Sequence, residues 1–120
     1  MGLKPEACFR PLEDQDWMGV FAPLWHAFVK YSDGSTDSIT GGEGAYTSEH
    51  TPCYEGDKRS DDECKCWTWD RIEQCIKDEA AKDTARYDIF TNNCGQWVKR
   101  KFLACCLENP IPWWLIYDVF

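Results

Sequence analysis

A cysteine at the start of a predicted helix is the residue of this sequence best placed for chemistry. Cys94 follows Asn92 and Asn93, and either asparagine can cap the helix. The unpaired amides and positive dipole end of a first helical turn stabilise a thiolate, which is the nucleophilic form. The same amides can hold an oxyanion. Cys94 is therefore a candidate nucleophile, and a buried structural thiol is the alternative.

A thiol nucleophile also needs a base, and the sequence contains two histidines. His50 lies in a polar stretch, whereas His26 heads an apolar, β-prone run. A base on a rigid strand is held within reach of a sulfur better than a base in a loop. His26 is therefore the predicted base, and a strand histidine without a chemical role is the alternative.

The segment that carries His26 is predicted to form a β-hairpin, because Asp33-Gly34 separates two β-prone runs. The length of the hairpin loop decides which polar side chain shares the His26 face. A two-residue loop places Asp37 there, whereas a three-residue loop places Ser38 there. Aspartate would orient an imidazole strongly and serine weakly.

Two stretches, HAFVKYSDGSTDSIT and YDIFTNNCGQWV, together resemble the H-box and NC motif of the lecithin:retinol acyltransferase superfamily. That superfamily includes the small phospholipase/acyltransferases, permuted relatives of NlpC-type cell-wall peptidases and the H-box/NC proteins of picornaviruses. The resemblance implies a circularly permuted papain-like fold with Cys94 as nucleophile and His26 as its base. In the cellular members a second histidine orients the first. Ser38 takes that place here, with Asp37 beside it, which implies a site that is slow, differently assisted or retired.

The resemblance implies three alternative functions. The first is thiol-dependent acyl transfer or hydrolysis, with a lipid acyl ester as the implied substrate and an amide as the second choice. The second is a non-catalytic module that binds a host or cellular protein. The third is a cell-wall or peptide amidase of the NlpC type. The chain is closest in character to the picornaviral proteins, and no cofactor is expected.

Residue patterns predict a single α+β domain over residues 1–120, in which helices pack on a small antiparallel sheet. Residues 1–24 are predicted to be a loop or short helix, residues 41–66 a long inserted polar loop, and residues 87–90 a short strand. Thr68 is the predicted cap of the first helix. The predicted core faces of the two helices are Trp69, Ile72, Cys75 and Ile76 in the first and Cys94, Val98, Phe102 and Cys105 in the second.

Eight cysteines in a short chain suggest disulfides, which are typical of oxidising compartments. The start of the chain has no apolar leader, and an odd seven cysteines remain when Cys94 is reserved for chemistry. These two features favour a cytoplasmic location, in the host cell if the protein is viral. His50, Cys53, Cys64 and Cys66 could bind zinc, form disulfides within the loop or stay free. The remaining helical cysteines, Cys75, Cys105 and Cys106, are predicted to pack on helix faces.

Thirteen basic and 21 acidic side chains give a net charge of −8, which disfavours nucleic acids as partners. The run 99–101 is predicted to be a solvated helix face. No stretch is long enough to span a membrane. The apolar, aromatic end, residues 110–120, is predicted to be either a final strand or a tail that contacts a membrane or a partner.

Overall fold

The computed structural model describes residues 4–11, 25–40, 53–56, 59, 62–84, 86–88 and 92–112. Within these residues, strands, a 3₁₀ helix and α-helices follow the order β1 (Glu6–Pro11), β2 (Trp25–Lys30), β3 (Thr36–Asp37), β4 (Cys53–Glu55), the 3₁₀ helix (Asp62–Cys66), α1 (Trp69–Lys82) and α2 (Cys94–Ala104). The strands form one antiparallel sheet in the order β3-β2-β1-β4. The predicted α+β class with a small antiparallel sheet is confirmed.

Both α-helices contribute to a core on one face of the sheet. The register pairs Ala7 with Val29 and Phe9 with Ala27, so these four side chains share that face. They are completely buried together with apolar residues of both helices. Complete burial of one large apolar side chain contributes about 1.5–3 kcal/mol. The largest completely buried side chains of the two helices are those of Ile72, Ile76, Val98 and Phe102.

Strand β1 replaces the loop or short helix that the sequence predicts near the start of the chain. It lies inside the sheet between β2 and β4. Phe9 packs in the core while Cys8, on the opposite face, is also completely buried. A strand covered on both faces lacks the alternation of polar and apolar residues that reveals a strand in a sequence. Pro5 and Pro11 obscure it further, although proline is tolerated at strand ends.

Strands β2 and β3 form the predicted hairpin, and its loop has three residues. Val29 pairs with Asp37, and the Tyr31 N–H donates to the Ser35 carbonyl at 2.8 Å. Gly34 closes the loop with a φ of 87°, in the left-handed region. Loops of this length commonly end on a residue in that conformation, and glycine adopts it without steric cost.

Both helices begin where the sequence predicts. The Thr68 Oγ1 accepts a hydrogen bond from the Arg71 N–H at 3.1 Å and caps α1. The predicted core stripe of α2 is buried along its whole length. None of the helices in the described parts of the chain has the length and apolar composition needed to cross a membrane.

Two predicted segments differ from the structure. The polar loop over residues 41–66 contains β4 and the 3₁₀ helix in its described part, while residues 41–52, with His50, lie outside the described residues. The predicted strand over residues 87–90 is reduced, where it is described, to an isolated bridge between Asp88 and Asn92. Residues 89–91 and 113–120 also lie outside the described residues.

Six of the eight cysteines form disulfides, and they connect distant elements. The pairs are Cys8–Cys53, Cys64–Cys106 and Cys75–Cys105. The predicted packing on helix faces is found for Cys75 and Cys105, which lie in or against the core. The sequence did not show that these two are bonded to each other or that Cys106 is bonded to Cys64. For Cys53 and Cys64, zinc binding and disulfides within the loop are both wrong, since these two cysteines are bonded to Cys8 and Cys106, outside the loop. The remaining two cysteines are not in disulfides: Cys66 is exposed and Cys94 is buried.

Candidate functional site

Cys94 is the first residue of α2, immediately after a well-formed helix cap. The Asn93 side chain accepts a hydrogen bond from the Gln96 N–H at 2.9 Å, and the Gln96 side chain accepts one from the Asn93 N–H at 2.8 Å. This reciprocal capping box fixes the entry of the chain into the helix. It settles which asparagine is the cap, and it places the Cys94 side chain in the core with 0% exposure.

Asn92 instead anchors the segment that precedes the helix. Its backbone N–H and carbonyl exchange hydrogen bonds with Asp88 at 2.9 and 3.0 Å. Its side chain donates to the Arg86 carbonyl at 2.7 Å and accepts from the Arg100 guanidinium at 2.6 Å. Because Asn92 is itself buried, these bonds hold the approach to Cys94 in one conformation.

Part of the basic run 99–101 belongs to the same support rather than to a solvated face. Arg100 also contacts the Asp83 carboxylate at 3.3 Å, and the ammonium of Lys101 bonds to the same carboxylate. Lys101 is buried, with its ammonium 5.3 Å from the centre of the Trp97 ring. The prediction of a solvated run is therefore wrong for Lys101. Asp83 links the end of α1 to α2 through both cations.

The Cys94 sulfur lies against the backbone of β2. The Ala27 N–H donates a hydrogen bond to the Cys94 Sγ at 3.3 Å. Along β2 the N–H groups of alternate residues point the same way, and the Tyr31 N–H points to the β3 side. The Ala27 N–H therefore also points to that side, where β3 has already ended at Asp37. In a longer β3, a backbone carbonyl would accept this hydrogen bond from the Ala27 N–H; here the Cys94 sulfur accepts it.

This hydrogen bond brings the sulfur close to the backbone of His26. The Ala27 nitrogen lies two bonds, about 2.4 Å, from the His26 Cα. The Cys94 Sγ is therefore at most about 5.7 Å from that Cα. The His26 side chain is 6% exposed, and its ring stacks on Phe28 with the ring centres 6.3 Å apart. The Cys94 sulfur is thus close to the backbone of His26, although 68 positions separate the two residues in the sequence. The His26 side chain alternates with that of Ala27 and so points to the face of the sheet opposite the core that contains Cys94.

The hairpin register places Ser38, rather than Asp37, on the His26 side of the sheet. Asp37 pairs with Val29 on the core face and accepts a hydrogen bond from the Tyr31 hydroxyl at 3.3 Å. Burial, followed by the charge of Asp37, raises the pKa of Tyr31 well above its usual value. Continuation of the register brings Ser38 opposite Phe28. Ser38 is buried, and its Oγ lies 3.2 Å from that of Thr40.

Tyr87 is a further residue near the sulfur that the sequence reasoning did not single out. Burial, followed by the charge that Cys94 carries when it is ionised, raises the pKa of Tyr87. Such a charge effect operates over short distances. Tyr87 is still 44% exposed. The sequence signal was the position of Tyr87 seven residues before Cys94, but this stretch resembled an ordinary strand.

One group of residues has its potential ligand atoms close enough to hold a metal ion. In the described part of the chain, a carboxylate oxygen of Glu6 and the sulfurs of Cys8 and Cys53 lie within 4.8 Å of one another. Metal coordination requires thiolates, whereas these two sulfurs are bonded to each other. We therefore assign this group a structural role in joining β1 to β4.

Comparisons of the chain with protein-family models, with curated proteins and with solved structures found no match. The likeness to H-box/NC proteins accordingly depends on the residues of the two motifs.

Proposed function

We propose that this chain is an H-box/NC-type protein with a circularly permuted papain-like arrangement, in which Cys94 and His26 form a thiol acyl-transfer dyad. The observation that carries the proposal is the hydrogen bond from the Ala27 N–H to the Cys94 Sγ. It draws the first residue of α2 to the residue that follows His26, as a shared site requires. A purely structural thiol would need burial but no particular neighbour.

The proposed reaction has two steps. His26 accepts the Cys94 thiol proton, and the sulfur attacks the acyl carbon of an ester while amides at the start of α2 stabilise the oxyanion. The C–O bond then breaks, and the leaving alcohol takes the proton from His26. In the second step, His26 deprotonates water or an acceptor alcohol or amine, which attacks the thioester and releases Cys94. A lipid acyl ester is the preferred substrate class, and a peptide amide is the second choice.

Ser38 is the proposed orienting residue for His26, because its position in the hairpin corresponds to the second histidine of the cellular enzymes. A neutral hydroxyl stabilises an imidazolium less than a charged partner does. The proposed activity is therefore slow. Replacing Ser38 by histidine is expected to raise it, whereas replacing it by alanine has a small effect.

A non-catalytic module that binds a host or cellular protein is the second candidate, and one observation favours it. The Cys94 side chain is 0% exposed, and it belongs to the hydrophobic core cluster. A thiol in that setting resembles a packed core residue. In this alternative, the apolar residues 110–120 would contact the partner, or a membrane surface in the case of a lipid-acting protein.

The proposed location remains the cytoplasm, in the host cell if the protein is viral. Three disulfides are typical of oxidising compartments, so this location requires that the cysteines be reduced there. A secreted NlpC-type amidase would keep the disulfides.

The test compares the two cysteines that are not in disulfides, Cys94 and Cys66. Iodoacetamide labelling near pH 6 is followed by mass mapping of Cys94 and Cys66, because an ordinary thiol with a pKa of about 8.5 reacts slowly there. An active dyad makes Cys94 react at least about tenfold faster than Cys66, since a lowered pKa raises the thiolate fraction. His26→Ala should abolish this advantage and leave Cys66 unchanged. Equal or slower labelling of Cys94, with no release of acyl groups from short-chain thioesters, would instead favour the binding module.

A further inference from the structure

The outer strand of the sheet directs main-chain hydrogen-bonding groups of Glu55 away from the sheet. In the described part of the chain, β4 lies at one edge, with β1 on its inner side. The Gly56 N–H donates to the Pro5 carbonyl at 3.0 Å, so the main-chain groups of Gly56 point inwards. Because these groups alternate in direction along a strand, those of Glu55 point to the outer side. An extended peptide can pair with a strand edge of this kind.

A pocket with a volume of about 320 Å³ lies beside this edge. Tyr54 and the segment 110–112 form its apolar side. Tyr54 and Ile111 pack against the core, and the Tyr54 ring meets the Phe9 ring edge-on with the ring centres 5.9 Å apart. The Asn109 side chain accepts a hydrogen bond from the Ile111 N–H at 3.0 Å and fixes the turn there. The walls of the pocket are therefore held in place before a ligand binds.

The polar side of the pocket is acidic, because Glu55 and Glu108 line it. Glu108 is exposed, and among the described residues it forms no ion pair. The Glu55 carboxylate is 3.7 Å from the Lys4 ammonium, yet the Glu55 side chain is still 62% exposed. A long cationic side chain can lay its aliphatic stem along the apolar wall and place its charged end near these carboxylates.

We propose that the outer edge of β4 and this pocket together bind an extended basic peptide of another protein, with a lysine or arginine side chain in the pocket. Main-chain pairing with Glu55 supplies affinity, and the pocket supplies specificity. In the oxidised chain the Cys8–Cys53 bond fastens β4 to β1, so little freedom is lost on binding. A second copy of the chain is a poor occupant, because each copy carries a net charge of −8. The proposal goes beyond the acyl-transfer function, since it involves neither Cys94 nor His26.

The experiment titrates the isotopically labelled, oxidised protein with blocked pentapeptides and follows the amide signals by NMR. One peptide alternates valine and lysine, and its twin has glutamate in place of lysine. The lysine peptide should shift the amide signals of Glu55, Glu108 and Ile111. It should bind at least about tenfold more tightly than its twin, the effect of one unit charge at about 6 Å and an effective dielectric constant of about 40.

Main-chain pairing is tested with two versions of the lysine peptide that are N-methylated at alternate amides. Only one version loses the donors that face β4, so the two should differ in affinity by about fivefold, the effect of one lost hydrogen bond. Equal affinities would overturn the pairing with the edge.

The charge of the pocket is tested with Glu108→Gln, which should weaken binding of the lysine peptide about tenfold. Asp78→Asn, on an exposed part of α1 outside the pocket, removes the same charge and should change the affinity by no more than about twofold, because salt screens distant charges. Equal effects of the two variants, equal binding of the twin peptides or an unshifted Glu55 amide would each overturn the proposal. Shifts of the same amides with protein concentration alone would identify a second copy as the occupant and would also overturn it. Failure of the proposed dyad is seen separately, in the labelling of Cys94.

Discussion

The surroundings of Cys94 are defined largely by backbone groups and by an amide cap. The Ala27 N–H contacts its sulfur, and the Asn93 capping box fixes the turn from which the sulfur projects. The contact with the sulfur uses the backbone of residue 27 and does not depend on its side chain. The position of Cys94 after a helix cap can therefore be predicted from the sequence, whereas its contact with the amide of a strand cannot, because any residue type at position 27 other than proline would supply that amide.

Glu73 is a buried carboxylate that holds the hairpin loop against α1. Its Oε1 accepts hydrogen bonds from the Ser32 N–H at 3.1 Å and the Ser32 hydroxyl at 3.0 Å, and the Lys77 ammonium lies 3.7 Å away. We expect Glu73→Ala to lower the free energy of unfolding by about 1–3 kcal/mol, because hydrogen bonds to a charged acceptor are lost. Urea denaturation followed by tryptophan fluorescence measures the change.

Two further variants separate the causes of that loss. Glu73→Gln keeps an acceptor oxygen for Ser32 and should recover part of the stability. Glu79→Ala, on the same helix, removes a carboxylate whose described contact is an ion pair with Lys82, and should change stability by no more than about 0.5 kcal/mol. Equal losses in Glu73→Ala and Glu79→Ala would contradict a specific role for the Ser32 contact.

At the level of elements, local signals predicted the helices and the hairpin, while nonlocal pairing was not visible. Thr68 and the buried stripe of α2 obey rules that operate within a few residues, so the sequence reveals them. Strand β1 is stabilised by its pairing with β2 and β4 on either side, and no pattern within its own residues predicts that pairing. The choice between Asp37 and Ser38 lies between these two cases. The sequence predicted the hairpin, but it did not decide whether the loop has two or three residues, and this difference determines which of the two residues shares the His26 face.

Gly34 tests that register directly. Its φ of 87° suits glycine, and a Cβ built there would meet no atom within 4 Å, so a substitution would strain only the backbone. We expect Gly34→Ala to lower the free energy of unfolding by about 1–2 kcal/mol. Gly34→Asn should cost less, because asparagine adopts the left-handed conformation more readily. Thermal denaturation, monitored by circular dichroism, ranks the stability of the wild-type protein and the two variants. An Ala variant as stable as the Asn variant would contradict a left-handed conformation at position 34.

For the whole molecule, the disulfides determine how the elements stay together. One bond joins β1 to β4, one joins α1 to the end of α2, and one joins the 3₁₀ helix to Cys106. They close sequence separations of 45, 30 and 42 residues. Sequence reasoning could count the cysteines, yet it could not pair them, because pairing depends on which elements the fold brings together.

A thiol count and a paired deletion test this framework. Denatured without reductant, the protein should expose two thiols, those of Cys66 and Cys94, and all eight after reduction. Removing one bond with Cys75→Ser and Cys105→Ser should lower the free energy of unfolding by about 2–4 kcal/mol, since the unfolded chain gains freedom. Cys66→Ser is the control, because it removes one counted thiol and should leave stability unchanged. If protein isolated from its natural compartment without reductant instead has eight thiols, its cysteines are reduced there, and this result would favour the cytoplasm.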